Sequence, residues 1–271
     1  MDKSSLGDRM KAYERVPSMQ LMHRTPAIIR LDGKSFHSFT KGMERPFDER
    51  LIQAMQETTA LLVGNIEGCT FGYTQSDEIT LLITDYKKLT SQAWFDYKVQ
   101  KMVSIAASMC TAFFNSRFKE IVLEKARHKE FEDMIVKPAF FDARAFNVPR
   151  EEVVNCHLWR QQDCTRNSIQ MVGQANFSHK ELQNKSCEMI QEMLFQEKGI
   201  NWNDFPTYQK RGTAVYKRKM SIDRPGSEGI HGGQYLRSEV FIDKNIPVFS
   251  KDRNFIQKWV DIEEESDEKV F

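Results

Sequence analysis

Apolar and polar positions along this chain follow two rhythms, and each predicts a kind of element. Ala27-Ile28-Ile29-Arg30-Leu31-Asp32-Gly33 is a short apolar run ending on an acid and a glycine, the pattern of a buried strand. Cys69 to Ile83 is rich in β-branched and aromatic residues and is interrupted at Gln75-Ser76-Asp77, which predicts two strands folded back as a hairpin. Between them Leu51, Ile52, Met55, Thr59, Leu62 and Val63 recur at helical spacing behind Asp48, whose carboxylate suits an N-cap. A long helix is expected from about residue 91 to 118, with Phe95, Val99, Met102, Val103, Ala106, Met109 and Phe113 as its buried stripe. A strongly charged stretch, 119–136, reads as an insertion, and Pro138 then introduces a strand over 140–148.

Strand, helix, hairpin, helix, strand is the order β-α-β-β-α-β. The fold class predicted is therefore α+β: a polymerase-palm-like, ferredoxin-like antiparallel sheet with helices on one face, plus a C-terminal helical lobe. Beyond Pro149 the pattern turns helical, with Val153, Val154, Leu158 and Trp159 as an apolar side. Ser178-His179-Lys180-Glu181 matches a capping box, opening a helix expected to run through Leu182, Met189, Ile190, Met193 and Leu194 to Gly199. Glycine-rich sequence between 217 and 235 predicts a flexible turn, followed by a strand over Glu239 to Asp243. The expected organisation is a catalytic core with an N-terminal extension over 1–148, a mixed helical part over 149–260, and a disordered acidic tail over 261–271.

Composition narrows the class. At 271 residues with 28% charged side chains, the chain can bury a sizeable core and reads as a soluble globular enzyme. No apolar run is long enough to span a bilayer and the start carries no apolar leader, so a cytoplasmic protein without a membrane partner is expected. Cys69, Cys110, Cys156, Cys164 and Cys187 share no Cys-x-x-Cys spacing and read as reduced packing residues rather than a disulfide framework or zinc site. The formal charge of +1 hides an asymmetry. Residues 261–271 hold six acids and one base, leaving 38 basic and 32 acidic residues elsewhere, a moderately basic body suited to phosphate-bearing partners.

The chemistry centres on the two strand ends. If the first strand and the hairpin are sheet neighbours, Asp32 and Asp77 converge, and two close carboxylates repel unless a cation lies between them. All candidate ligands are hard oxygens, so magnesium is the expected ion. A pair of such ions is what nucleotidyl transfer needs, one lowering the pKa of the attacking hydroxyl and the other steadying the phosphates. Lys34-Ser35-Phe36-His37 follows Gly33 as a turn with backbone amides and a lysine to cradle a triphosphate. Either motif alone also fits a plain turn.

Together the two stretches carry more. Arg-Leu-Asp-Gly-Lys-Ser-Phe-His from Arg30 and Tyr-Thr-Gln-Ser-Asp-Glu from Tyr73 resemble the tRNA-histidine guanylyltransferase family and its wider group of guanylyltransferase-like 3′-to-5′ RNA polymerases. The resemblance continues through Lys137 to Arg144, Trp159 to Cys164, Gly199 to Asn203 and Tyr208 to Gly212. It implies Asp32, the Gly33 carbonyl and Asp77 as ligands of two magnesium ions. It also implies a nucleoside triphosphate, GTP or ATP, over Gly33 to His37 with Ser76 beside its phosphates. Glu78 is read as a residue that tunes the metal site without ligating it. Lys98, Lys101, Arg160, Arg166, Asn167, Lys210 and Arg211 become candidate tRNA contacts, although structural ion pairs explain single members as well. A homo-tetramer is the commonly resembled assembly.

The chain departs from the eukaryotic pattern at Thr165-Arg166-Asn167-Ser168, where those members carry His-Ile-Asn-Asn after the Trp-Arg-Gln segment. This favours the branch that repairs 5′-truncated tRNA by copying the opposing strand over strict non-templated guanosine addition. Two other classes stay open: a nucleotidyl or dinucleotide cyclase sharing the same acids, and a non-catalytic RNA-binding sheet presenting Phe71 and Tyr73.

Overall fold

The computed structural model describes residues 5–87, 90–125, 137–223 and 234–261. Helix α1 (Ser5–Arg15) precedes strand β1 (Ala27–Gly33), a short helical turn α2 (Phe36–Phe39) and helix α3 (Glu49–Asn65). The hairpin β2 (Cys69–Gln75) and β3 (Glu78–Ile83) leads to α4 (Val99–Lys125) and β4 (Phe141–Asn147). The remainder comprises α5 (Arg150–Asn176), α6 (His179–Leu182), α7 (Cys187–Lys198), α8 (Thr207–Arg211), β5 (Thr213–Asp223), β6 (Gln234–Asp243) and α9 (Asn254–Val260). The strands form one sheet in the order β4-β1-β3-β2-β5-β6, antiparallel at every pairing. Its first four strands are the predicted β-α-β-β-α-β core, and the last two widen the same sheet.

Alternation along β1 divides its side chains between two cores. Ala27, Ile29 and Leu31 face α3 and α4, where Met55, Leu62 and Val63 meet Met102, Ala106, Cys110 and Phe114. Ile28 faces the other way, with Leu82, Phe71, Tyr73 and Ala214, against Val153 and Val154 of α5 and Ile256 and Val260 of α9. Gly72 marks where α3 lies closest to the sheet, since a Cβ there would come within 2.8 Å of Val63 Cγ2 and 3.0 Å of Thr59 Cγ2. Asp48 caps α3 as its sequence position predicts, accepting from the amides of Arg50 and Leu51.

Several expectations are corrected. The helix expected from residue 91 begins at Val99, because the preceding backbone is used elsewhere: the Leu21 amide donates to the Tyr97 carbonyl and the Val99 amide to Met19. Phe95 is exposed and left-handed (φ 51°), while Trp94 and Tyr97 are the buried anchors of that corner. The stripe on α4 centres on Cys110 and Phe114 rather than Met109 and Phe113, and α4 runs into the charged stretch; residues 126–136 lie outside the described residues. The capping box at Ser178 is present, but its helix stops at Leu182; Asn184 turns left-handed (φ 60°) and Ser186 caps a new helix that ends on left-handed Gly199.

In α5 Val153 and Val154 are buried as expected, but the next buried positions are His157 and Arg160, whereas Trp159 is 53% exposed. The stretch from 217 to 223 is strand, paired with β6 through Tyr216 packed on Phe241 and Arg218 lying 3.9 Å from that ring; the glycine-rich residues 224–233 and the tail from 262 lie outside the described residues. Among the described residues no helix is long and apolar enough to cross a membrane. The five cysteines are unpaired, and Cys69, Cys110 and Cys164 are buried in packing roles.

Substituting Gly72→Ala is expected to destabilise the protein by about 1–3 kcal/mol through overpacking, and shortening the facing side chain with Val63→Ala in the same chain should recover part of the loss, as urea unfolding would measure. His157 is fully buried, donates from Nδ1 to the Val153 carbonyl at 2.9 Å with Nε2 unpartnered, and is held neutral by burial, its pKa lowered to about 4. The unfolded chain takes up that proton from its ordinary value of 6.5 downward, so this contribution to stability is present above pH 6.5 and is lost as the pH falls toward 4. Replacing His157→Phe should flatten the pH dependence of stability across that window.

Candidate active site

The site forms where β1 ends against the hairpin tip. In the β1–β3 register Asp32 stands opposite Glu78, and on the other side it stands opposite Asp142 of β4. The Gly33 amide donates to the Asp77 carbonyl at 3.1 Å, which ties the end of β1 to the turn between β2 and β3. Asp32 and Asp77 thereby come to one end of the sheet, as the sequence predicts. Ser76, left-handed at φ 49°, donates from Oγ to Asp77 Oδ1 at 3.1 Å. Burial pushes the Asp77 carboxyl above its ordinary value, the charges of Asp32 and Glu78 add to this, and its own amide and the Ser76 hydroxyl oppose it. A cation at the site would relieve that mutual repulsion.

Lys34 to His37 turn away beside the acids. The Lys34 amide donates to the Phe140 carbonyl at 2.8 Å, and Ser35 is left-handed at φ 55°. Lys34, Ser35 and His37 are exposed, whereas the Phe36 ring is buried among Phe39, Phe114 and Phe141 and anchors the turn. Its ring covers Gly33 so closely that any Cβ there would lie 2.3 Å from it. Beyond lies a cavity of about 370 Å³ bounded by Phe36, His37, Thr40, Met43, Arg45, Asp48, Ser76, Asp77, Met171 and Gln174.

The donor set fits magnesium in one particular way. Among the described residues no three His, Cys, Asp or Glu side chains group to hold a metal. Two carboxylates and a backbone carbonyl are what magnesium takes when substrate phosphates and water complete its shell. Glu78 is not part of the set. Its carboxylate is buried under α5, where Arg160 Nε and Nη2 donate to Oε1 and Oε2, each at 2.6 Å, and Thr80 Oγ1 donates to Oε1 at 3.3 Å.

The candidate tRNA contacts scatter. Arg160 is 7% exposed and committed to Glu78 and Asp163, so it offers no open phosphate contact. Lys210 is equally buried, donates to the Asn203 carbonyl and lies over Trp202; the backbone of Arg211 accepts from the Tyr73 hydroxyl at 2.7 Å. Arg166 is exposed but paired with Asp163, which also accepts from half-buried Asn167 at 3.5 Å. Lys98 and Lys101 line a separate cavity with His23 and Glu67, at the end of the sheet away from Asp32. The cavity wall from Thr40, Met43, Met171 and Gln174 went unpredicted, since a binding wall drawn from a loop and a distant helix leaves no periodic signal. Arg30 and Trp159, which stack at 5.6 Å, share a local cue: Arg30 is two residues before Asp32 and so points to the same face.

Fold and site together define a nucleotidyltransferase built on a palm-like sheet. The family model for tRNAHis guanylyltransferase matches residues 7–149. A bacterial tRNA(His) guanylyltransferase-like protein solved in complex with ATP is 42% identical, covers 95% of this chain and 100% of its own, and superposes with a TM-score of 0.82. One solved in complex with GTP is 40% identical over 94% of this chain and 99% of its own, with a TM-score of 0.73. An uncharacterized protein of Acanthamoeba polyphaga mimivirus is 31% identical over 80% of this chain and 79% of its own, and the tRNA(His) guanylyltransferase of Schizosaccharomyces pombe 27% over 75% and 77%. The chain belongs to the tRNA(His) guanylyltransferase family.

Proposed function

We propose that this protein adds nucleotides to the 5′ end of tRNA in the 3′-to-5′ direction, with magnesium, and that it repairs 5′-truncated tRNA by copying the opposing strand. The observation that carries the reading is the convergence of Asp32 with Asp77, which lines a nucleotide-sized cavity. Solved relatives bound to ATP and to GTP support it, and the higher identity to the guanylyltransferase-like proteins than to the fission yeast enzyme favours the repair branch. The Thr165 to Ser168 departure points the same way.

In this mechanism Asp32, Asp77 and the Gly33 carbonyl would hold magnesium, which would supply charge neutralisation for phosphates and a lowered hydroxyl pKa. The turn after Gly33 and the exposed Lys34 side chain cradle the triphosphate, with Ser76 alongside. His37, Met43 and Gln174 bound the space left for the base. An activated 5′ end, adenylylated by ATP with release of pyrophosphate or already a triphosphate, is attacked by the 3′-hydroxyl of the incoming nucleotide. AMP or pyrophosphate leaves. A homo-tetramer belongs to the same reading, with Lys98 and Lys101, at the far end of the sheet from Asp32, as candidate contacts for the tRNA body.

Offered tRNAs with and without their first 5′ nucleotide, and each of the four nucleoside triphosphates, the enzyme should add the base complementary to the opposing position. Guanosine added whatever base it faces would instead make it a strict tRNA(His) guanylyltransferase, and a cyclic product from nucleotide alone would make it a cyclase. Asp32→Ala or Asp77→Ala should cost at least about a thousandfold in labelled-nucleotide addition while circular dichroism and melting temperature stay near wild type.

A further inference from the structure

Two acids stand opposite Asp32, Asp142 on β4 and Glu78 on β3, and Glu78, the one that follows Asp77 in the chain, is turned away. Side chains directly opposite on one face are about 5 Å apart at Cβ. Both of its oxygens nevertheless point to α5, held by the two-pronged donation of Arg160. Arg160 is itself fixed by Asp163 at 2.9 Å and by the Trp159 ring, 4.4 Å below its guanidinium. Asp163 in turn is braced by Arg166 and Asn167. The arrangement is buried, bidentate and supported on both sides, which is what a device for immobilising one carboxylate requires.

We infer that Arg160 is a positioning residue that withholds the Glu78 carboxylate from the metal-binding corner, so that the free enzyme offers a divalent ion Asp32 and Asp77 without Glu78 and retains it chiefly together with a nucleotide's phosphates. The inference rests on the metal role proposed for Asp32 and Asp77. Its logic is the ligand count. Magnesium held by one or two carboxylates depends on substrate phosphates, whereas a third carboxylate builds a site that fills without them. A site prefilled by metal binds the ion unproductively and need not wait for the triphosphate. Clamping Glu78 makes ion loading follow nucleotide loading.

Manganese, followed by its paramagnetic resonance, is the probe. The wild-type protein should bind Mn²⁺ weakly without nucleotide and markedly more tightly with a non-hydrolysable ATP analogue. Arg160→Gln frees Glu78 and removes a neighbouring cation, so nucleotide-free Mn²⁺ affinity should rise by on the order of tenfold or more, even as turnover falls. Adding Glu78→Gln to that variant should return the affinity toward wild type, and Arg160→Lys, which keeps the charge, should fall between. A residue that merely holds the fold together would lower metal affinity when removed, so unchanged or weaker binding in Arg160→Gln overturns the inference. If that variant does not fold, tight nucleotide-free binding by the wild type overturns it just as directly. Asp77→Asn tests the underlying site separately: undiminished binding of Mn²⁺ with the ATP analogue would reject the ligand assignment itself, whatever the clamp variants do.

Discussion

The antiparallel register between β1 and β3 is the constraint on which the rest depends. Six residue pairs from Ala27 opposite Ile83 to Asp32 opposite Glu78 set it, and the Gly33 amide bonded to the Asp77 carbonyl closes it. Because strand side chains alternate with period two, a slip of one residue would turn Asp32 into the packed face occupied by Met55 and Phe114 and bring Leu31 out in its place. The hydrophobic alternation that buries Ile29 and Leu31 therefore also aims the acid. Folding and placing the chemistry are one event in this part of the chain.

The elements legible in the sequence are those whose signal is local. β1, the hairpin and β4 were predicted almost to the residue, because an apolar run bounded by Gly33 or by Gln75-Ser76-Asp77 has few other conformations available. Asp48, Ser178 and Gly199 announced helix ends for the same reason, through short-range hydrogen bonds and a left-handed cap. What stayed hidden was decided at long range. The start of α4 is displaced because residues 19–21 take the backbone groups of Tyr97 and Val99, a partner some eighty positions away that no window on the helix contains. Helical spacing placed Trp159 on the apolar side of α5, yet burial there goes to His157 and Arg160, because the sheet beneath supplies Phe71 to one and Glu78 to the other.

The acids themselves were readable and their division of labour was not. Asp32, Asp77 and Glu78 look alike as letters, and only the neighbours separate them: Asp77 has a serine hydroxyl and a backbone amide, whereas Glu78 has a guanidinium. Arg160 illustrates the converse. As a basic residue in a family block it looked like a phosphate contact, and its desolvation between α5 and the sheet makes it a counter-charge instead. In a low-dielectric setting a buried cation is retained where its carboxylate is already fixed, and removing either partner leaves the other uncompensated.

Helix α5 spans 27 residues without a break, on the order of 40 Å at 1.5 Å per residue. Its first half lies on the sheet through Val153 and Val154, and its second half carries Ile169 and Val172 into a separate cluster with Trp202 and Leu194. Arg160 and the cavity residues Met171 and Gln174 ride on this single rod, three to four turns apart. Any tilt of this rod that changed the space around a nucleotide base would also move the guanidinium beneath the hairpin, so the wall around the base and the hold on Glu78 share one rigid element.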